Sequence, residues 1–474
     1  MDQNTQSLLI KTAQENLRNN TRSVTLDGEP HKVVRPGDLY PGLWGWDSAF
    51  HAIGLGYTNT TLALEQIIVS GLGQTKEGMI PHILFYNTEE AEETYYPAPS
   101  VWQNYSSRNL PISGISQPPV HGFALERILK IAEDRNLDTE LLQKAFDVAY
   151  DSQKWWYSER DPKNSGLVVS VHPWETGRDN SPEWDTVLEL IRQTEDYINF
   201  PFDPSVRKDI HTAPDGTDNR DFRPLDRDYK MFTYLLVNLR DQGYSIKNSS
   251  LQYFDVPFMV EDITINSFLQ ASNEALLRVM ETYKIGTNQQ AETLKKYQSK
   301  TEESFQNLWC SQETTFQSRD YKTGKFLGTT SASYMSLLSS VSSEQQAKEM
   351  ASVLNNDKEK RGIKYFVSSC FPDDIDSADY RYWRGPVWSI VNYINAMGFM
   401  NASERFHNSE FLKVSMEICK DTIHLVETNL DEQGRPEFHE YHHPVTGDGQ
   451  GAKNFGFTSV AMLELSNLVL NSTN

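Results

Sequence analysis

Cysteine is scarce in this chain of 474 residues: three occur, Cys310, Cys370 and Cys419, and none forms a CxxC pair. An odd count with no paired spacing excludes a disulfide framework. It reads as buried thiols in a reducing compartment, hence a cytoplasmic protein. Cations are also in deficit, with 44 Lys and Arg against 65 Asp and Glu and a formal charge of -21. Phosphate backbones and anionic bilayers both attract basic faces, so neither nucleic acid nor membrane is expected as a partner. No apolar run approaches the length of a membrane span. The opening MDQNTQSLLIKTAQENLRNN lacks the apolar centre of a signal peptide. Short repeats, low-complexity tracts, Pro/Ser linkers and alternating strand patterns are missing as well.

Aromatic residues, by contrast, are plentiful: 22 Tyr, 22 Phe and 10 Trp. With this material the chain builds a large core. Apolar residues recur at three and four in HGFALERILKIAEDR (121–135), NSFLQASNEALLRVMETYK (266–284), FLKVSMEICKDTIHLVETNL (411–430) and TSVAMLELSNLVL (458–470). Roughly a dozen such segments span the sequence. They predict an all-α fold: one domain, 1–474, of paired helices closed into an α/α toroid. An open solenoid would require similar repeats. Two long connections rich in Tyr, Trp, Pro and charge, near 86–118 and 199–228, are expected to act as lid loops over a cleft.

The segment VHPWETGRDNSPEWD (171–185) places Glu175, Asp179, Glu183 and Asp185 among Trp174 and Trp184. A solvated loop has no use for the indoles, and a core has no use for four acids. An apolar wall from the two tryptophans would favour a protonated Asp179; two of the other acids are expected to bond the loop backbone. In YPGLWGWDSAFHAIGL (40–55), Trp44, Trp46 and Asp47 precede a helix. As an N-cap, Asp47 would need no tryptophans beside it. As part of a sugar site, indole faces pack on the C–H face of a ring while the acid bonds hydroxyls. YRYWRGPVWSIVNY (380–393) adds Tyr382, Trp383 and Trp388 before a helix expected to open at Pro386. GISQPPVHG (114–122) presents Gln117 at another loop–helix junction. HEYHH (439–443) matches the zinc pattern HExxH, but Pro436, Pro444, Gly447 and Gly449 oppose the helix that this chemistry needs. The segment is expected to be a loop presenting Glu440, with no metal and no cofactor.

Aromatic platforms with carboxylates at loop–helix junctions suit a polyol. Glycosidic hydrolysis canonically takes two carboxyl groups, one protonating the leaving oxygen and one activating water or attacking. The motifs LWGWDSAFHAIG, GMIPHI, GISQPPVHG, HPWETGRDNSPEWD, YWRGPVW and FHEYHHPVTGDGQGAKNFGFTS occur in this order between about residues 35 and 460. They resemble glycoside hydrolase family sixty-three, and within it the hydrolases of mannosylglycerate and glucosylglycerate. The resemblance implies an (α/α)6 barrel and an inverting, metal-free mechanism. It assigns the general acid to Asp179 and the general base to Glu440. It gives Asp47 a role in holding sugar and water. Tyr40, Trp44, Trp46, Gln117, Trp174, Tyr382, Trp383 and Trp388 become substrate contacts. Arg223 and Tyr229, in FRPLDRDY, become a lid pair gripping the carboxylate of glycerate; residues 205–222 match the family poorly.

The activity so implied is inverting hydrolysis of a small anionic α-glycoside, glucosylglycerate or mannosylglycerate, to free sugar and glycerate. An α-glucosidase acting on a neutral disaccharide or glucosylglycerol is the alternative on the same scaffold. A non-catalytic carbohydrate-binding helical protein is the alternative from another class. Glucose and mannose differ by one hydroxyl position, which the sequence does not decide, and self-association into a homo-oligomer is left open.

Overall fold

The computed structural model describes residues 3–38, 40–132, 137–209, 222–247, 256–360, 365, 367–371 and 380–472. Six buried segments close into a ring. Around it they are Gly45–Gly56, His121–Ile131, Ile263–Tyr283, the 3-10 segment Ser331–Leu338, Ser389–Phe406 and Gly456–Ser472, which packs back on Gly45–Gly56. An outer layer covers them. Thr60–Leu72 and Thr139–Glu159 lie outside the first two, Asn288–Phe305 outside the third, Glu344–Lys360 and Ser409–Glu427 outside the fifth, and Gln3–Asn20 outside the last. This is the (α/α)6 barrel. One apolar cluster runs through it from Leu9 to Leu468. No described helix is long and apolar enough to cross a membrane.

Local chemistry sets the helix starts. Asn59, Asp138, Thr287 and Asp262 each precede a helix and accept its orphan N–H groups through their side chains. The inner ring is buried nearly all round, with polar side chains among its apolar ones; every residue of Gly45–Gly56 is buried. The seam where the last inner helix meets the first two carries a buried ion pair. Glu464 accepts from Arg127 Nε at 2.6 Å and from Tyr57 Oη at 2.6 Å. A paired, hydrogen-bonded charge survives in such a place, whereas one stripped of its partner would cost about 3–5 kcal/mol.

Among the described residues one sheet of short strands leads into the cleft. Leu43–Trp44, Ile83–Leu84, Pro111–Ile112 and Asn104–Tyr105 form a four-stranded antiparallel sheet in that order. Trp44 leaves this sheet directly into the Gly45–Gly56 helix, and His82 precedes its second strand.

Several boundaries differ from the sequence expectation. The connection 86–118 is structured, with helices Thr88–Thr94 and Pro99–Trp102. The helix from His121 ends at Ile131. The helix expected from Pro386 opens at Ser389, because Val387 is held in an extended bridge with His442 through bonds of 2.8 and 2.9 Å. Asp47 is not an N-cap; the cap is Trp44, and Asp47 sits in the first helical turn. Of the 199–228 connection, residues 210–221 lie outside the described residues, and Asp226–Asp241 is helical.

Candidate active site

Loops at one end of the ring converge on a cleft of about 360 Å3. Every site residue singled out above lines it: Tyr40, Trp44, Trp46, Asp47, Gln117, Trp174, Asp179, Arg223, Tyr229, Tyr382, Trp383, Trp388 and Glu440.

Glu440 belongs to an extended segment. Tyr441–His442 pairs antiparallel with Gly449–Gln450, and no helix passes through HEYHH. Its histidines face different neighbours. His439 Nε2 approaches Glu437 at 2.9 Å, while His443 Nδ1 accepts from the backbone of Val445 and Thr446. The Glu440 carboxylate is held from several sides. Tyr40 Oη donates to Oε1 at 2.6 Å; Arg223 Nη2 donates to Oε2 at 3.1 Å and Nη1 lies 3.4 Å from Oε1; the Ala452 N–H donates to Oε2 at 2.9 Å. Arg223 Nη2 also reaches Tyr40 Oη at 2.9 Å. Three groups, one a guanidinium, hold the carboxylate in a single orientation. Gly451 (φ +73°) lets the loop pass beside it, since a Cβ there would lie 2.6 Å from Oε2.

The Arg223–Tyr229 pair expected to grip a ligand carboxylate is therefore arranged otherwise. Both terminal nitrogens of Arg223 are engaged by Glu440 and Tyr40. The Tyr229 ring lies under Arg207, whose guanidinium carbon is 4.1 Å from the ring centre.

Asp179 comes from the acid-rich loop, where the four carboxylates divide their tasks. Glu175, fully buried, accepts from Arg160 at 3.0 Å and from the Val171 N–H at 2.9 Å. Glu183 pairs with Arg178 and accepts from Ser318 at 2.8 Å. Asp185 takes Arg384 through two bonds of 3.0 and 2.7 Å. All three carboxylates pin the loop, but of the two expected to bond its backbone only Glu175 does so, Glu183 and Asp185 being held by side chains; Asp179 alone of the four lines the cleft. Trp174 shares that lining, but Trp184 is a correction: it is fully buried under Arg178, donating Nε1 to the Arg178 carbonyl at 2.9 Å. It shapes the loop from behind. Gly177 (φ +70°) makes the turn against Trp46, where a Cβ would meet the indole at 2.6 Å.

Desolvation by burial pushes the Asp179 carboxyl up to about 7, with Arg223 opposing the shift and the Glu440 charge adding to it. Burial, with the negative charge of Glu440 behind it, also holds the Asp47 carboxyl well above the usual carboxylate range. Both effects disfavour the ionised form. The cleft thus brings together a carboxyl raised to about 7 and a Glu440 side chain bound to a guanidinium.

The same cleft has aromatic walls. Trp383 and Trp388 stack with centroids 4.0 Å apart and planes at 5°. Trp388 Nε1 donates to the Tyr382 carbonyl at 3.0 Å, and Asn180, next to Asp179, accepts from the Trp383 N–H at 2.9 Å. The aromatic loop is thereby fastened to the acid loop on one side and, through Val387, to the base strand on the other. Gln117 accepts the Trp46 N–H at 3.1 Å with its amide oxygen.

Sequence reasoning missed several lining residues, among them His82, Tyr95, Lys208, Asp209, Phe455 and Phe457. His82, Phe455 and Phe457 lie inside motifs quoted above, GMIPHI and NFGFTS, but no chemical cue set them apart. His82 stacks on Trp174 at 6.2 Å, and burial lowers its pKa to about 3, so it is neutral there.

Residues 40–458 match the model of the "Mannosylglycerate hydrolase MGH1-like glycoside hydrolase domain". The chain is 31% identical over 430 residues to mannosylglycerate hydrolase MGH1 of Selaginella moellendorffii, covering 90% of this chain and 80% of that one. It is 28% identical to a glucosylglycerate hydrolase of Mycolicibacterium hassiacum, over 90% of this chain and 92% of that one. In three dimensions it resembles the mannosylglycerate hydrolase of Thermus thermophilus solved with Tris and D-glycerate. That match has a TM-score of 0.77 at 29% identity and covers 97% of this chain and 99% of the other.

Proposed function

Because the chain belongs to the family of mannosylglycerate-hydrolase-like glycoside hydrolases, we propose that it hydrolyses glucosylglycerate or mannosylglycerate to the free sugar and glycerate with inversion. The observation that carries the reading is the pairing of a raised acid with a clamped one. Burial raises the Asp179 carboxyl to about 7, so a large share of it carries a proton near neutral pH, and Glu440 lines the same cleft, clamped by Tyr40 and Arg223. In the reaction Asp179 donates its proton to the glycosidic oxygen as the C–O bond breaks. Glu440 takes a proton from the water that attacks the opposite face of the sugar. A fixed Glu440 orients that water, and the walls of Trp44, Trp46, Trp383 and Trp388 exclude the rest. Asp47 bonds the sugar hydroxyls. The unit is a single domain, its place is the cytoplasm, and its three cysteines stand as buried thiols.

Engagement of Arg223 by Glu440 gives weight to the neutral-glycoside alternative, since that cation is not free for an aglycone. A substrate panel decides. Glucosylglycerate, mannosylglycerate, glucosylglycerol and an α-linked glucose disaccharide are each offered to the purified enzyme and kcat/KM is measured. The expected result is preference for a glycerate glycoside by roughly tenfold or more over glucosylglycerol, the worth of one charged hydrogen bond. Preference for glucosylglycerol or the disaccharide would replace the reading with the neutral one.

A further inference from the structure

A glycoside carrying a carboxylate enters a cleft lined by acids, Asp38, Asp47, Glu90, Glu93, Asp179, Asp209 and Glu440, of which burial disfavours the charged form of Asp47 and Asp179. Two cations line it too, Arg223 and Lys208. Arg223 spends Nη1 and Nη2 on Glu440 and Tyr40, and its Nε is buried without a hydrogen-bond partner among the described residues. Lys208 makes no ion pair among the described residues, and its obvious partner is taken. Asp209, next to it, is held by Arg207 through both oxygens, at 3.1 and 2.9 Å.

The neighbouring residues hold Lys208 in this position. Arg207 is buried, pairs with Asp226 at 2.6 Å and donates to the Pro224 carbonyl at 2.8 Å. Its guanidinium also covers the Tyr229 ring. The turn Pro204–Val206 ahead of it is capped by Asp203, which accepts from the Ser205 N–H at 2.9 Å. The backbone that carries Lys208 is thus tied down on both sides, and its neighbour's charge is neutralised from beneath. What remains at the cleft is a half-buried ammonium on a long stem.

We infer that Lys208 is the specificity residue for an anionic aglycone: its ammonium receives the substrate's carboxylate, while Arg223 serves the base. The assignment rests on the anionic-glycoside reading above. A lysine is a point charge and accepts a carboxylate without a fixed fork geometry, which suits an aglycone as small and mobile as glycerate. The negative field around it sets the specificity. A neutral aglycone gains nothing from Lys208, and an anionic one without it meets the remaining charged acids of the lining with no free cation among the described lining residues to offset them.

The test compares Lys208→Met, Lys208→Glu and Lys208→Arg with the wild-type enzyme on glucosylglycerate or mannosylglycerate and on glucosylglycerol. Lys208→Met should lose roughly 10–100-fold in kcat/KM on the glycerate glycoside, chiefly through KM, and no more than about twofold on glucosylglycerol. Lys208→Glu should lose more, and Lys208→Arg should restore most of the activity. Equal losses on both substrates, or none on the glycerate glycoside, would overturn the assignment while the substrate reading stands. A wild-type enzyme that prefers glucosylglycerol would overturn the substrate reading and the assignment with it.

Discussion

Asp179→Ala and Glu440→Ala should each lower kcat on the preferred glycoside by at least ~10² to 10⁴, the span for losing a general acid or base. The two losses should differ in kind. Without Asp179 the leaving oxygen departs unprotonated, so a substrate with an acidic leaving group such as dinitrophenol should recover much of the rate. Without Glu440 the attacking water is unactivated, and the same substrate should recover little. In the wild type, kcat/KM should fall as pH rises through about 7, because the Asp179 carboxyl, raised by burial, then loses the proton it must donate. That alkaline limb should vanish in Asp179→Ala. Glu440→Ala carries a second expectation: it leaves the buried Arg223 guanidinium with Tyr40 as its one hydrogen-bond partner among the described residues. It should therefore lower the melting temperature more than Asp179→Ala does. Near-wild-type turnover in either variant would remove that residue from its role.

Arg223→Ala should be nearly as damaging, and on neutral and anionic glycosides alike. Its contacts are with Glu440 and the Tyr40 hydroxyl, so the change leaves the base without its counter-ion and loosens its orientation. The loss should be roughly 2–4 kcal/mol in kcat/KM, the size for stripping one partner from a buried charge pair. Arg223→Lys should recover only part, since an ammonium does not reach both carboxylate oxygens and Tyr40 as a planar fork does. A loss confined to glycerate glycosides would mean that Arg223 leaves Glu440 for the substrate, returning the lid-pair role that the family resemblance implied.

Much of this site was legible because its residues occur in types that have little structural use where they stand. Indoles beside acids at loop–helix junctions marked Trp44, Trp46, Asp47, Trp174 and Asp179, and all of them line the cleft. The helical rows were legible wherever one face meets solvent. The fourth member of the inner ring was not. Ser331–Leu338 is SASYMSLL, serine-rich, buried at every position and wound as 3-10. With no exposed face it shows no amphipathic period.

Direction was the other thing hidden. Trp174 and Trp184 are equivalent as letters, yet one faces the cleft and the other is buried beneath Arg178, because the 3-10 segment Pro182–Trp184 turns the chain inward between them. Likewise, a guanidinium is drawn as readily to a base as to a ligand. Only the long-range approach of Arg223 to Glu440, 217 residues apart in the chain, decides which it meets in this structure.

The claim at the centre of the account is that Asp179 protonates the leaving glycosidic oxygen while Glu440 activates the attacking water, and that no covalent intermediate forms. Proton NMR of the first turnovers on an α-linked glycerate glycoside tests it directly. The anomeric signal that appears first should belong to the β-sugar, with the α-anomer growing in only as mutarotation proceeds. An initial α-anomer would mean that a carboxylate attacks the sugar itself, and would contradict the assignment of Glu440 as a base.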